Sequence, residues 1–164
     1  MNLKSRKDEF VKRIEDITSV VIDKVVKKNT ISLTDTPSHF KSLEYYTRFY
    51  WGSYSIWGQK DQKGHLVGFI FALNFGKDRG NDHPTVHEDK EDQTSIYLHV
   101  SLFTIKPTEV TNAIMHCYIP DWISAAIDFA IKCGFITEPP EGETPWWVGL
   151  DDVLNKKEDN NESD

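Results

Sequence analysis

The chain has 164 residues, 38% of them hydrophobic and 27% charged, with a formal net charge of −7. That length supports one well-cored domain, the composition excludes a wholly disordered chain, and the negative balance disfavours direct binding to nucleic-acid phosphates. Two cysteines, Cys117 and Cys133, cannot build a disulfide framework. They are read as small buried hydrophobes in a reducing, cytoplasmic setting. No apolar run reaches the roughly 18–20 residues needed to cross a bilayer. The opening MNLKSRKDEF has no apolar stretch behind its basic residues, so neither a secretory signal nor a membrane partner is expected.

Taken in chain order, Phe10, Ile14, Ile17, Val21 and Val25 form one apolar stripe at helical spacing. They predict an amphipathic helix over Asp8–Lys28, with lysines complementing the dipole at its end and Asn29 as a cap. A polar connector, Thr30–Lys41, leads into a β-prone run over Leu43–Gln59. Seven of the thirteen residues from Tyr45 to Trp57 are aromatic. Read as one strand, the run places Tyr45, Phe49, Trp51 and Trp57 on one face and Tyr46, Tyr50, Tyr54 and Ile56 on the other, with a break or bulge at Gly52. Arg48 falls on the second face and marks it as the more exposed one. Lys60–Gly64 reads as a turn. His65–Phe75 is then the return strand of an antiparallel hairpin, apolar enough to be covered on both sides by helices or a second layer.

Gly76–Thr94 is a long polar loop, and six acids face two bases between Asp78 and Asp92. Ser95–Ile105 reads as a third strand, with Tyr97, His99, Ser101 and Phe103 on one face. Ile96, Leu98, Val100, Leu102 and Thr104 form its core face. Pro107–Tyr118 is a helical turn or a fourth strand, the helical turn being preferred. Asp121–Cys133 is a helix N-capped by Asp121 and stopped by Gly134, with Trp122, Ala125, Ala126, Phe129, Ala130 and Cys133 as its stripe. Trp146–Leu150 adds an apolar patch, and 151–164, with six acids against two lysines, reads as a disordered acidic tail. The expected architecture is α+β: a mainly antiparallel sheet of three to five strands against an N-terminal and a C-terminal helix, in one domain over residues 1–150.

Chemistry-bearing residues are sparse. His83 and His87, beside acids, have the spacing of two imidazoles on one helix face, but Pro84 opposes a helix there. A solvated loop competes with a divalent-ion site, and no cofactor is expected. His99 and Ser101 lie two apart on one strand face, so an imidazole and a hydroxyl could act together. His99-Val-Ser101 resembles the H-x-T/S element of two-histidine phosphoesterases, whose activity the resemblance implies if a second element faces the first. The other match is His83-Pro-Thr85. His116 and Cys117 are adjacent, point apart, and make no dyad. Large aromatics beside acids suit recognition instead. The candidate binding residues are Tyr46, Arg48, Tyr50 and Tyr54, with Asp82, Glu88, Asp89, Glu91 and Asp92. The leading expectation is a non-catalytic acidic inhibitor, immunity-protein-like, that neutralises a basic protein partner such as a nuclease-type toxin. Its alternatives are a small hydrolase or phosphodiesterase using His99 and Ser101 with His65 or His116, and a small-ligand binder with an aromatic pocket.

Overall fold

A computed structural model describes residues 3–32, 40–49, 51–76 and 93–136. The first element, helix α1, spans Leu3–Lys28. Its predicted stripe is buried, and Thr18 and Ile22 widen it into a full face. Lys27 and Lys28 sit in the last turn, and the Asn29 side-chain amide donates to the Val25 carbonyl at 2.7 Å, capping one of the carbonyls the helix leaves open.

Four strands follow: β1 (Phe40–Phe49), β2 (Gly52–Lys60), β3 (Leu66–Gly76) and β4 (Gln93–Ser101). They form one antiparallel sheet in the order β1-β2-β3-β4. With α1 and a C-terminal helix, this is the expected α+β architecture. The aromatic run is not one strand, however. It reverses at residues 50–51, and Phe49 lies opposite Gly52. Gly52 is required there: a Cβ would stand 1.8 Å from the Asn74 carbonyl oxygen of β3. Gly76 N–H, from the far end of β3, donates to the Trp51 carbonyl at 3.1 Å and ties the reversal to the central strand. β1 also carries an extra residue, Glu44, between Leu43 and Tyr45, which bulges it and changes its phase.

The β2–β3 turn falls where expected. The Asp61 carboxylate accepts from Lys63 N–H at 2.9 Å and His65 N–H at 2.8 Å. Gly64 supplies the left-handed position at φ +83°. The His65 hydrogen bond, with that from Lys63, holds the Asp61 carboxyl below its ordinary range.

β4 ends at Ser101, short of the expected Ile105. Leu102–Lys106 turns, with Ile105 N–H donating to the Leu102 carbonyl at 3.1 Å, so Phe103 leaves the His99 face. A helical segment then runs without a strand. A 3-10 turn at Pro107–Glu109 leads into a short helix, α2 (Val110–Ala113), a π turn at Ile114–Tyr118 and α3 (Ile119–Lys132). Asp121 is therefore not an N-cap. It lies in the first turn of α3, where its charge still suits the dipole. Pro120 has no N–H to give the His116 carbonyl and its ring crowds that carbonyl. The π turn just before it takes up the mismatch, and the helix continues instead of ending. Gly134, at φ +82°, stops the helix as expected, and Phe135 N–H donates back to the Ala130 carbonyl at 2.8 Å.

The buried stripe of α3 is shifted from the predicted one. Ile119, Ile123, Ala126, Ile127 and Ala130 enter the core, whereas Ala125 and Phe129 are exposed. Isoleucines four apart on the neighbouring side bury more apolar area than the alanine-rich stripe, and they win the core. Both cysteines are exposed, contrary to their reading as core residues, because Cys117 and Cys133 fall off that stripe.

The helices share one face of the sheet. Phe10 of α1 meets Phe49 of β1 edge-on with ring centroids 4.9 Å apart, and Trp122 of α3 lies over Tyr54 and Phe71. β3 is buried along its length except at Asn74, as its apolar run predicts. Its cover by helices, among the described residues, comes from that one side. Among the described residues no helix is long and apolar enough to cross a membrane. The connector residues 33–39, the loop residues 77–92, the patch Trp146–Leu150 and the tail 151–164 lie outside the described residues.

Gly52→Ala should cost at least about 3 kcal/mol, the upper end for overpacking, because the group in the way is backbone. Gly64→Ala, with open space around its Cβ, should cost only about 1–2 kcal/mol for its left-handed φ. Urea unfolding of the two variants checks that order.

Candidate functional site

The register defines what each face presents. On the helix side lie Tyr45, Thr47 and Phe49 of β1, Tyr54 and Ile56 of β2, Phe69, Phe71, Leu73 and Phe75 of β3, and Ile96, Leu98 and Val100 of β4. The opposite face consists of rows that cross all four strands. One is Arg48–Ser53–Asn74–Ser95, the next Tyr46–Ser55–Ala72–Tyr97, the next Leu43–Trp57–Ile70–His99, and the last Lys41–Gln59–Gly68–Ser101.

This outer face has a distinct relief. On the two central strands Ser53, Ser55, Ile70 and Ala72 are small or flat and buried, while Tyr46 and Tyr97 on the edge strands are 43% and 57% exposed. Three inter-strand spacings separate those two tyrosine backbones by about 14 Å. Between them the floor is narrow-chained, so the rings stand as rims of a shallow trough. Trp57 Nε1–H donates to Ser55 Oγ at 3.2 Å, which lays the indole beside that serine, and Leu43, 50% exposed, continues the apolar strip. At the end of the trough the side chains are polar and linked: Asn74 Nδ2 donates to Ser53 Oγ at 3.3 Å, and Ser95 Oγ donates to the Asn74 side-chain oxygen Oδ1. Gly76 and Gln93 lie at this same end. The acidic stretch 77–92 is thus tethered beside the Arg48 row.

The proposed binding residues separate accordingly. Tyr46 and Arg48 share the outer face as expected. Tyr54 does not: it is fully buried on the helix side, opposite Thr47. The two-residue reversal changes the odd–even phase, so even-numbered β2 residues share a face with odd-numbered β1 residues. Tyr50, Asp82, Glu88, Asp89, Glu91 and Asp92, and the ion-site candidates His83 and His87, lie outside the described residues. Among the described residues no group of three or more His, Cys, Asp or Glu side chains could hold a metal ion. Leu43, Trp57 and Tyr97 belong to the face but were missed. For Tyr97 the signal was present, since strand alternation places it with His99. Leu43 and Trp57 needed the bulge and the reversal.

His99 and Ser101 do share the outer face, both exposed. The ring nearest His99 is Tyr97, with centroids 6.3 Å apart, and Ser101 Oγ accepts from Phe103 N–H at 3.3 Å. His65 is in the β2–β3 turn, with Nδ1 3.8 Å from Asp61 Oδ2. His116 belongs to the helical layer over the opposite face. The two partners considered for His99 therefore do not complete a histidine pair with it.

Tyr54 has a structural assignment in place of a binding one. Thr18 Oγ donates to the Ile14 carbonyl at 2.6 Å and lies 2.6 Å from Tyr54 Oη. A hydroxyl has one proton, so Tyr54 must donate to Thr18. Burial pushes the Tyr54 hydroxyl well above its ordinary range, partly countered by the Thr18 bond, and the phenol stays protonated.

A second concavity, about 440 Å³, lies between β4 and α3 and is lined chiefly by Ile96, Tyr97, Trp122, Ala125, Ala126 and Phe129. It is lined by aromatic side chains, and it is built from the β4 edge and a helix instead of the aromatic run. The indole N–H of Trp122 is buried without an acceptor among the described residues.

Charge is partitioned as sharply as hydropathy. The described residues carry fourteen Lys/Arg and ten Asp/Glu, a formal +4. The whole chain is at −7, so the remaining residues carry −11, with nine acids against two lysines in 137–164 alone. Comparison with protein-family models, curated proteins and solved structures gives no match.

Thr18→Val should destabilise by about 1–3 kcal/mol, because it strands the buried Tyr54 O–H, whereas Tyr54→Phe should cost only about 1 kcal/mol. The double variant should be less destabilised than the sum of the two. A double-mutant cycle by chemical denaturation measures that coupling.

Proposed function

We propose that this chain is a non-catalytic binding protein that holds and neutralises a basic protein partner, in the manner of an immunity protein acting on a nuclease-type toxin. The observation that carries the reading is the outer sheet face. There, exposed Tyr46, Tyr97 and Leu43 rim a trough beside Arg48, and a long acidic stretch is tethered at one end. Tyrosine gives large contact area for little rotamer entropy, which is why it dominates interface hot spots. The described body is not itself acidic, so attraction of a basic partner falls to segments 77–92 and 137–164. They supply long-range steering while the apolar face supplies short-range contact.

A hydrolase reading based on His99 and Ser101 has in its favour that both side chains are exposed on one face. Among the described residues neither His65 nor His116 faces His99.

Capture from the native host, followed by binding measurements across a salt series, tests the proposal. Tyr46→Ala and Tyr97→Ala should each weaken binding by roughly tenfold or more, mainly through faster dissociation. Truncation after residue 150 should slow association and flatten the salt dependence while leaving dissociation nearly unchanged. Binding indifferent to salt and to both tyrosines would overturn the reading. So would a hydrolytic activity abolished by His99→Ala in a folded protein.

A further inference from the structure

The two edges of the sheet are built differently. β1 carries Lys41, Glu44 and Arg48 and is bulged at Glu44, features that blunt an edge against pairing. β4 reads Gln-Thr-Ser-Ile-Tyr-Leu-His-Val-Ser. It has no Lys, Arg, Asp, Glu or Pro, and its register with β3 is unbroken over nine residues. Among the described residues no strand pairs with its outer edge. The apolar cleft against α3 runs along that same edge, and Tyr97 and Phe129 beside it are 57% and 49% exposed. An unguarded edge backed by an apolar groove is a template for another strand.

We propose that β4 pairs antiparallel with β4 of a second copy of this chain, giving a two-fold dimer with one continuous eight-stranded sheet. The strand is self-complementary about Tyr97. On the helix face Ile96 comes opposite Leu98, on the outer face Ser95 comes opposite His99, and Tyr97 meets its own counterpart. Charge selects the antiparallel orientation. The stretch 77–92, with six acids against three bases, enters β4 at Gln93. Parallel pairing would set two such stretches side by side. Antiparallel pairing sets them at opposite ends of a nine-residue strand, about 30 Å apart. That is several times the screening length of about 8 Å. Tyr97 and Phe129, each about half exposed, would bury about 200 Å² between them. This is a quarter of the roughly 800 Å² each partner gives a standard interface, leaving the rest to the strand edge and the Ala125 side of α3. The dimer shares Tyr97 with the partner surface proposed above, but Phe129 belongs to the dimer groove alone, so Phe129→Glu separates the two.

The full chain should sediment at about 100 μM with twice its 18.9 kDa mass. Tyr97→Lys places like charges directly opposite one another and should return it to a folded monomer by circular dichroism. Phe129→Glu, on the helix side of the same groove, should do the same and serves if Tyr97→Lys fails to fold. In a Cys117→Ser, Cys133→Ser background, which removes the exposed native thiols, Tyr97→Cys should cross-link on oxidation. Directly opposed strand residues lie about 4.5–5.5 Å apart at Cα, within disulfide reach. Tyr46→Cys, on the guarded edge, should not. A monomer at that concentration overturns the proposal and leaves the edge to a strand or ligand of another kind. Cross-linking as efficient from Tyr46→Cys as from Tyr97→Cys, or a dimer that neither charge substitution disturbs, overturns it as well.

Discussion

Two residues between Phe49 and Gly52 set the phase of the whole sheet. Strand side chains alternate with a period of two, so a shift of one residue moves every side chain to the other face. With Phe49 opposite Gly52, and Gly52 against the Asn74 carbonyl, β1 and β2 cannot slide. That register sends Tyr45, Phe49, Tyr54 and Ile56 under the helices and leaves Tyr46 and Trp57 outside. It also brings Tyr54 to Thr18, 36 residues earlier in the chain, where a buried hydroxyl finds its acceptor. A phenol buried on that face without the acceptor would cost about 1–3 kcal/mol. The reversal, the glycine contact and the α1 hydroxyl therefore form one mutually dependent unit.

The one-sided helix layer explains the outer face. β3 is dry along nearly its whole length, yet the aromatic contacts from α1 and α3 all reach the other side of the sheet. On the outer side the central strands carry Ser53, Ser55, Ala72 and Gly68, and bulk is concentrated in Tyr46, Trp57 and Tyr97. Diagonal and cross-strand neighbours lie within reach of such long side chains. Trp57 lying beside Ser55 is the direct instance. Among the described residues no second layer lies on that side, and Tyr46 and Tyr97 stand exposed at its edges.

Much of the fold was legible because its signals are local. The α1 stripe, the β3 apolar run, the Asp61–Gly64 turn and the Gly134 stop each depend on residues within a few positions of one another. What failed was non-local. Tyr54 was assigned with Tyr46 because counting by twos across residues 50–51 gives the wrong phase when the chain turns back, and nothing within the run announces the Asn74 carbonyl that demands Gly52. Asp121 looked like a helix start because Asp is a favoured N-cap residue, but a π turn lets the helix pass through Pro120. The α3 stripe was placed one side round because both its alanine side and its isoleucine side are apolar, and only the sheet decides between them. Of the site, Tyr46, Arg48, His99 and Ser101 were placed on the correct face by alternation alone. Which face would stay open could not follow from alternation, since that depends on where both helices dock.

The same separation governs charge. β2 and β3 together contain one charged side chain, Lys60, because central strands with both faces dry cannot solvate more. The ion pairs Lys7–Asp128, Lys12–Asp16 and Lys27–Asp23 each have at least one partner more than half open to water, where each contributes at most about 1 kcal/mol. These exposed pairs add little to holding the fold beside the apolar core and the Thr18–Tyr54 bond. The surplus acids fall in 77–92 and 137–164, outside the four strands and their register. A chain arranged this way can keep a strong negative field for its surroundings while its body, at a formal +4, presents uncharged aromatic surface for contact. Under the proposed function, long-range attraction and short-range adhesion would then fall to different residues.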